Sequence, residues 1–232
     1  MKNIGIIGAM EEEIVALKGK MKITEEKNMV GLTFYVGTYA GKNLVLVKSG
    51  IGKVNAAICA QALIDRFDVE KIIMVGVAGS LSAELRVGDI ILSEDAVEHD
   101  MDTSPLGDPI GTIPRMEESY FKADQELLRL ALESAKEVAK DYRVLTGRVA
   151  SGDQFICTED AKAKIRETVG GMCAEMEGAA VAHTCYLNNT PFLIIRAISD
   201  GAGEDAGLSF EEFCVMAAQR GSVLVENLIG KL

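Results

Sequence analysis

The sequence predicts a mixed α/β fold in one domain, and three observations carry that reading. Short apolar runs of strand length alternate along the whole chain with segments of helical spacing. The run Pro191-Phe-Leu-Ile-Ile-Arg-Ala-Ile-Ser-Asp200 is nearly unbroken, as expected of a strand buried on both faces, and leads into Gly201-Ala-Gly203. No linker, repeat or low-complexity tract divides residues 1–232, a length that supports a single large core.

The elements follow in order. Residues 3–9 form a first strand and 11–18 a short helix. Segments 22–29, 32–39 and 42–49 read as strands of a meander, with turn glycines at Gly31 and Gly41. Gly50 and Gly52 open a helix, rich in alanine and leucine, that runs to Asp65. Residues 71–78 and 88–94 are two further buried strands. From Asp102 to Ser119 the chain carries Pro105, Pro109 and Pro114 and reads as one long irregular segment, of the kind used as a lid or an interface arm. A helix over 124–140 sets Leu127, Leu128, Ala131, Ala135 and Val138 on one stripe. Residues 142–151 form a strand, and Thr158, Glu159 and Asp160 begin the next helix with a cap and first-turn acids. A short strand over 173–177 and a small-residue helix over 178–186 follow. Ser209-Phe-Glu-Glu212 is a capping box that starts the last helix.

Composition narrows the function. Hydrophobic residues make up 48% and charged residues 25%, the balance of a soluble globular protein. A net charge of −11 argues against nucleic acid or an anionic membrane as partner, yet leaves an uncharged nucleoside open. No apolar run is long enough to span a bilayer, and the first ten residues lack a cleavage signal. Cys59, Cys157, Cys173, Cys185 and Cys214 are widely spaced and form no C-x-x-C. They read as core thiols in a reducing compartment, so a cytoplasmic location is expected. Two histidines, His99 and His183, are too few for a His-rich metal site, and Glu98-His99-Asp100-Met-Asp102 reads as an acidic loop.

Several groups have the makings of a site. The last long strand delivers Arg196, Ser199 and Asp200 to its carboxyl end, where ligands of open α/β sheets sit. A carboxyl group partly desolvated there is suited to giving up a proton; capping a turn is the other role open to Asp200. Gly5-Ile-Ile-Gly8-Ala-Met10-Glu-Glu-Glu13 starts like a dinucleotide turn. It lacks the third glycine, however, and puts three carboxylates where a pyrophosphate needs positive potential. The acids suit the helix dipole, and because successive side chains diverge, one of them is open to face a pocket. Glu175 and Glu177 share one side of an extended strand. A following helix N-terminus would keep Glu177 ionised, fit either to grip a vicinal diol or to cap. Phe155 stands in a loop, ready to stack on a planar base or to fill the core. Residues 76–80 end a buried strand with exposed amide N–H groups near the same edge.

Taken together, Gly8-Ala-Met-Glu-Glu-Glu13, Lys48-Ser-Gly-Ile-Gly-Lys-Val54, Ser151-Gly-Asp-Gln-Phe-Ile156, Glu175-Met-Glu177 and Arg196-Ala-Ile-Ser-Asp200 form an ordered set. That set closely resembles the 5′-methylthioadenosine/S-adenosylhomocysteine nucleosidases of the purine nucleoside phosphorylase superfamily. The resemblance implies a three-layer α/β/α fold around a mixed, partly barrel-like sheet, a homodimer, and neither metal nor cofactor. It implies hydrolysis of the N-glycosidic bond of 5′-methylthioadenosine, S-adenosylhomocysteine and 5′-deoxyadenosine, in methionine salvage. Glu13 would activate water, Asp200 would protonate N7 of adenine with Ser199 positioning it, and Arg196 would order the carboxylates. Glu177 would bind ribose hydroxyls above Met176, Phe155 would stack on adenine, and the Ile156 backbone would read its edge. Met10, Ile51, Val77, Ala78, Gly79, Glu175 and Phe210 would line the pocket, with Thr103 and Leu106 serving a partner subunit's pocket.

Two departures stand out. Val77 occupies a place where many members carry serine, and the loop over 101–115 has Leu106 and Ile110 where some relatives extend aromatic residues. Two other functions share the fold. A phosphorylase would need cations around phosphate, which Glu13 would repel. A non-catalytic nucleoside binder would have no use for a proton donor.

Overall fold

The computed structural model describes residues 2–200 and 206–232, excepting the side chains of 206–212. Its ten strands form one mixed sheet with two parts. In the first, β1 (Asn3–Gly8) runs parallel between β4 (Lys42–Lys48) and β5 (Val69–Ser80). Beyond β4, β3 (Leu32–Tyr39) and β2 (Lys22–Met29) add the expected antiparallel meander, turning at Gly31 (φ 75°) and Gly41 (φ 77°). The outermost strand, β2, carries Lys22, Glu25, Glu26 and Lys27, charges that blunt a sheet edge.

In the second part the sheet closes on itself. β5 pairs with β10 (Phe192–Asp200), β10 with β6 (Ile90–Glu98), β6 with β8 (Val144–Ser151), β8 with β9 (Cys173–Glu175), and β9 returns to β5. This ring is the barrel-like portion. All nine residues of β10 are buried, as its unbroken apolar run predicts. A three-residue strand, β7 (Tyr120–Lys122), adds to β6 at the end of the proline-bearing segment; it is too short to leave a periodic signal.

Helices cover both faces. α1 (Glu11–Lys20), α3 (Gln125–Val138) and α6 (Ala206–Lys231) pack together, α6 lying on β10 and β5. On the other side α2 (Lys53–Phe67) packs against α5 (Gly178–Leu187), and α5 rests on β6 and β8. α4 (Glu159–Val169) closes a smaller apolar cluster through Ile165 and Val169 with Leu81, Val97, Ala150 and Ala174. The result is the three-layer arrangement expected.

Two expectations are corrected. α6 is already helical at Ala206, so Ser209 lies within the helix and not at its start. A capping-box pattern is a local signal that leaves a boundary uncertain by a few residues, and here the helix begins three residues earlier, with good helix formers at Ala206 and Leu208. Of the five thiols, Cys157 is exposed because it lies in the coil between β8 and α4; the other four are buried.

The β5–β10 pairing sets Gly76 opposite Arg196, and the spacing there leaves no room for a side chain. A Cβ at position 76 would fall 2.7 Å from Glu13 Oε1 and run into the Arg196 guanidinium. Gly76→Ala is therefore expected to lose about 1–3 kcal/mol of stability. Thermal unfolding checks this, and an unchanged melting temperature would contradict the close approach.

Candidate active site

A cavity of about 360 Å³ opens at the carboxyl ends of β1, β5 and β10, the edge where α/β sheets place ligands. Ala9, Met10 and Glu13 line it after β1, Val77, Ala78 and Gly79 at the end of β5, and Ser199 and Asp200 at the end of β10. Ala174, Glu175, Met176 and Glu177 enter from β9 and its exit, and Ile51 and Phe155 complete the wall. The sequence-predicted groups from five separate segments thus meet in one place.

Of the three successive acids, Glu11 and Glu12 are exposed while Glu13 is 2% exposed and faces the cavity. Glu13 is the third residue of α1 and folds back on the turn before it. Its Oε2 accepts from the Ala9 N–H (2.6 Å) and the Met10 N–H (3.0 Å), and its Oε1 from the Val77 N–H (3.0 Å). Both oxygens act as acceptors, the bonding of an ionised carboxylate. Burial pushes its pKa above the ordinary carboxylate value, while the Arg196 charge and the three N–H donors work against that rise.

Arg196 is wholly buried beneath the cavity. Its Nη2 bonds Glu175 Oε2 and stands 3.6 Å from Glu177 Oε2. Burial disfavours its charge, but Glu175, Glu177 and Glu13 more than offset this and hold the guanidinium above its usual range. Glu175 also accepts from the N–H groups of Glu177 (3.1 Å) and Gly178 (2.8 Å) and from the Ser151 hydroxyl. Glu175 is therefore the acid that caps α5. Glu177 makes no capping bond; its Oε1 instead accepts from the Gly52 N–H across the cavity at 2.9 Å. Glu177 does stand at the N-terminus of α5, as expected, but its surroundings work against ionisation. Burial, reinforced by Glu175, pushes its pKa up to about 7 despite Arg196 and the Gly52 N–H.

Asp200 is 1% exposed. Its Oδ1 accepts from Ser199 Oγ at 3.1 Å, while Oδ2 has no hydrogen-bond partner among the described residues. Burial raises its pKa above the ordinary value; Lys162 and the Ser199 hydroxyl restrain the rise. Gly79 permits the close approach, since a Cβ there would lie 2.9 Å from Asp200 Oδ2. Lys162 Nζ, 3.6 Å from the same oxygen, went unread in the sequence. Its signal was spacing: Lys162, Ile165 and Val169 share the buried face of α4.

The remaining predicted residues divide. Phe155 lines the cavity and is half-exposed, but Ile156 packs in the small apolar cluster under α4 and does not line the wall. Thr103 and Leu106 lie away from the cavity wall, at a short 3₁₀ turn (Ser104–Leu106) where Leu106 is 82% exposed. The Phe210 side chain lies outside the described residues. Lys53, a cation close in sequence to the cavity-lining Ile51, is committed to Glu98 (3.1 Å) and Asp100 (2.6 Å), and Glu98 also meets His183 Nδ1 at 3.1 Å. That network accounts for the acidic loop.

Residues 3–230 match the profile of the Phosphorylase superfamily. A 5′-methylthioadenosine/S-adenosylhomocysteine nucleosidase of Oceanobacillus iheyensis is 42% identical over 230 residues, covering 99% of both chains. Among solved structures, the nucleosidase of Colwellia psychrerythraea in complex with adenine superposes with a TM-score of 0.95 at 39% identity, over 100% of this chain and 96% of the other. The Neisseria meningitidis nucleosidase in complex with methylthio-immucillin-A gives 0.95 at 36% identity over the whole of both chains. This chain belongs to the 5′-methylthioadenosine/S-adenosylhomocysteine nucleosidases of the Phosphorylase superfamily.

Proposed function

We propose that this chain hydrolyses the N-glycosidic bond of 5′-methylthioadenosine and S-adenosylhomocysteine, releasing adenine and the 5′-substituted ribose, with Glu13 as base and Asp200 as acid. The observation that carries the reading is the meeting of two differently bonded buried carboxyl groups in one nucleoside-sized cavity.

The chemistry follows from the bonding. Breaking C1′–N9 leaves positive charge on the ribose, which Glu13 stabilises from a water-poor cavity. The electron pair of the bond moves into adenine, and Asp200 gives its proton to N7, so the base leaves neutral. Glu13 takes a proton from the water whose oxygen bonds C1′. A raised pKa serves both groups: it makes Glu13 a stronger base than a surface glutamate and keeps the proton on Asp200. Arg196 holds the carboxylates in register, Glu177 receives the ribose hydroxyls over Met176, and Phe155 covers the purine. 5′-Deoxyadenosine fits the same scheme.

The chain is expected to work as a homodimer. Val54 (69% exposed) and Ile58 (45%) on α2 and Leu187 (63%) on α5 are apolar groups exposed on two helices packed side by side. Thr103 and Leu106 would then extend toward the partner's 5′-substituent pocket. Four buried, unpaired thiols suit the reducing cytoplasm, and the nucleoside's release of adenine suits methionine salvage.

Adenine release from 5′-methylthioadenosine should proceed at the same rate with and without inorganic phosphate; strict phosphate dependence would make the chain a phosphorylase. Asp200→Asn and Glu13→Gln should each lower kcat by about 10²–10⁴ with nucleoside binding retained. In the wild type kcat/KM should fall below the Glu13 pKa, where the base is protonated, and above that of Asp200, where the acid is spent. Both limbs should lie above the ordinary carboxylate range, and a wild-type rate in either variant would remove that residue from its role. Sedimentation should give a dimer for the wild type and a monomer for Val54→Glu, with an unchanged dimer counting against this helix pair as the interface.

A further inference from the structure

The chemistry of the cavity leaves one buried cation unused. Lys162 is 1% exposed, on the inward face of α4, with Nζ 3.6 Å from Asp200 Oδ2. An ammonium taken out of water at that depth costs several kcal/mol unless a nearby charge compensates it. The carboxylate that Asp200 becomes on giving up its proton is such a charge, and its Oδ2 is the oxygen with no hydrogen bond among the described residues.

We propose that Lys162 is a positioning residue for adenine release, its buried ammonium anchoring the Oδ2 side of Asp200 at the cavity wall and favouring departure of the proton. This rests on the reading of Asp200 as proton donor. A carboxyl group buried against apolar strand ends becomes a poor acid, and an acid that holds its proton too tightly transfers it slowly. A fixed positive charge beside the oxygen stabilises the carboxylate left after transfer and returns the group to a useful strength. The other titratable groups lining the cavity are Glu13, Glu175 and Glu177; Glu13 and Glu175 are bonded to backbone N–H groups, Glu177 to the Gly52 N–H, and all three are close to Arg196. The facing stretch of β5, residues 77–79, carries no titratable side chain. Among the described residues Lys162 is thus the cation whose charge acts on Asp200, while Arg196 lies among the other three.

The test is the pH dependence of adenine release from 5′-methylthioadenosine by wild type, Lys162→Met and Lys162→Arg. Methionine keeps most of the unbranched side chain, one atom shorter, and removes the charge. It should lower kcat about 10- to 100-fold, leave KM within about threefold, and move the high-pH limb of kcat/KM upward by about one unit. Arginine should restore most of both. A Lys162→Met enzyme whose high-pH limb stays in place overturns the proposal, whatever its rate, because a merely structural lysine would lower activity without moving the limb. Should Lys162→Met be too unstable to assay, thermal unfolding of Lys162→Met and of Lys162→Met/Asp200→Asn, each against its parent, replaces it. A coupled pair predicts a smaller loss in the Asp200→Asn background, and equal losses overturn the proposal. A wild type that releases no adenine would instead refute the reading of the site on which the proposal rests.

Discussion

A single buried guanidinium organises this protein. Arg196 projects from the middle of a fully buried strand and is surrounded by Glu13, Glu175 and Glu177, which arrive from α1, β9 and the start of α5. An uncompensated charge at that depth would not survive folding, so the three chain segments are drawn to it, and loss of one partner of a buried pair typically costs about 3–5 kcal/mol. A lysine would not substitute. Nη2 alone meets both Glu175 and Glu177, and a lysine ammonium, a strongly hydrated point charge, is costlier to bury than the weakly hydrated guanidinium. Gly76 is the complement of this arrangement, a strand residue without a side chain because the guanidinium fills the space where one would stand.

The same desolvation makes the chemistry available. Burial moves Glu13, Glu177 and Asp200 all in one direction, upward. What distinguishes them is bonding. Glu13 receives three backbone N–H donors, whereas Asp200 receives one hydroxyl, and its other oxygen has no hydrogen bond among the described residues but faces Lys162 Nζ at 3.6 Å. That difference in bonding is what the proposed division into base and acid rests on. Carboxyl groups kept in such surroundings lower the stability of the empty protein, a cost common to sites that are tuned for reaction and not for folding.

The fold was largely legible because its signals are local. The β10 run, the meander glycines Gly31 and Gly41, and the cap at Thr158 each specify an element without reference to distant residues. The site was legible where residue order alone matters, so the five motif segments converge as their order implied. What was missed depends on three-dimensional neighbours. The sequence cannot say which of Glu175 and Glu177 caps α5; that is decided by Glu175 reaching the Gly178 N–H while Glu177 turns across to Gly52. Cys157 looked like the other thiols, yet its loop leaves it in solvent. Lys162 was hidden among the charges of α4, where a lysine at an apolar-face position looks like any other.

The proposed catalysis requires the two carboxyl groups to address opposite sides of one glycosidic bond. A crystal structure with a non-hydrolysable 5′-methylthioadenosine analogue measures this directly. It should place N7 of the base within about 3 Å of an Asp200 oxygen and a water on Glu13 beneath C1′. An analogue bound with its base away from Asp200, or with no water between Glu13 and C1′, would contradict it.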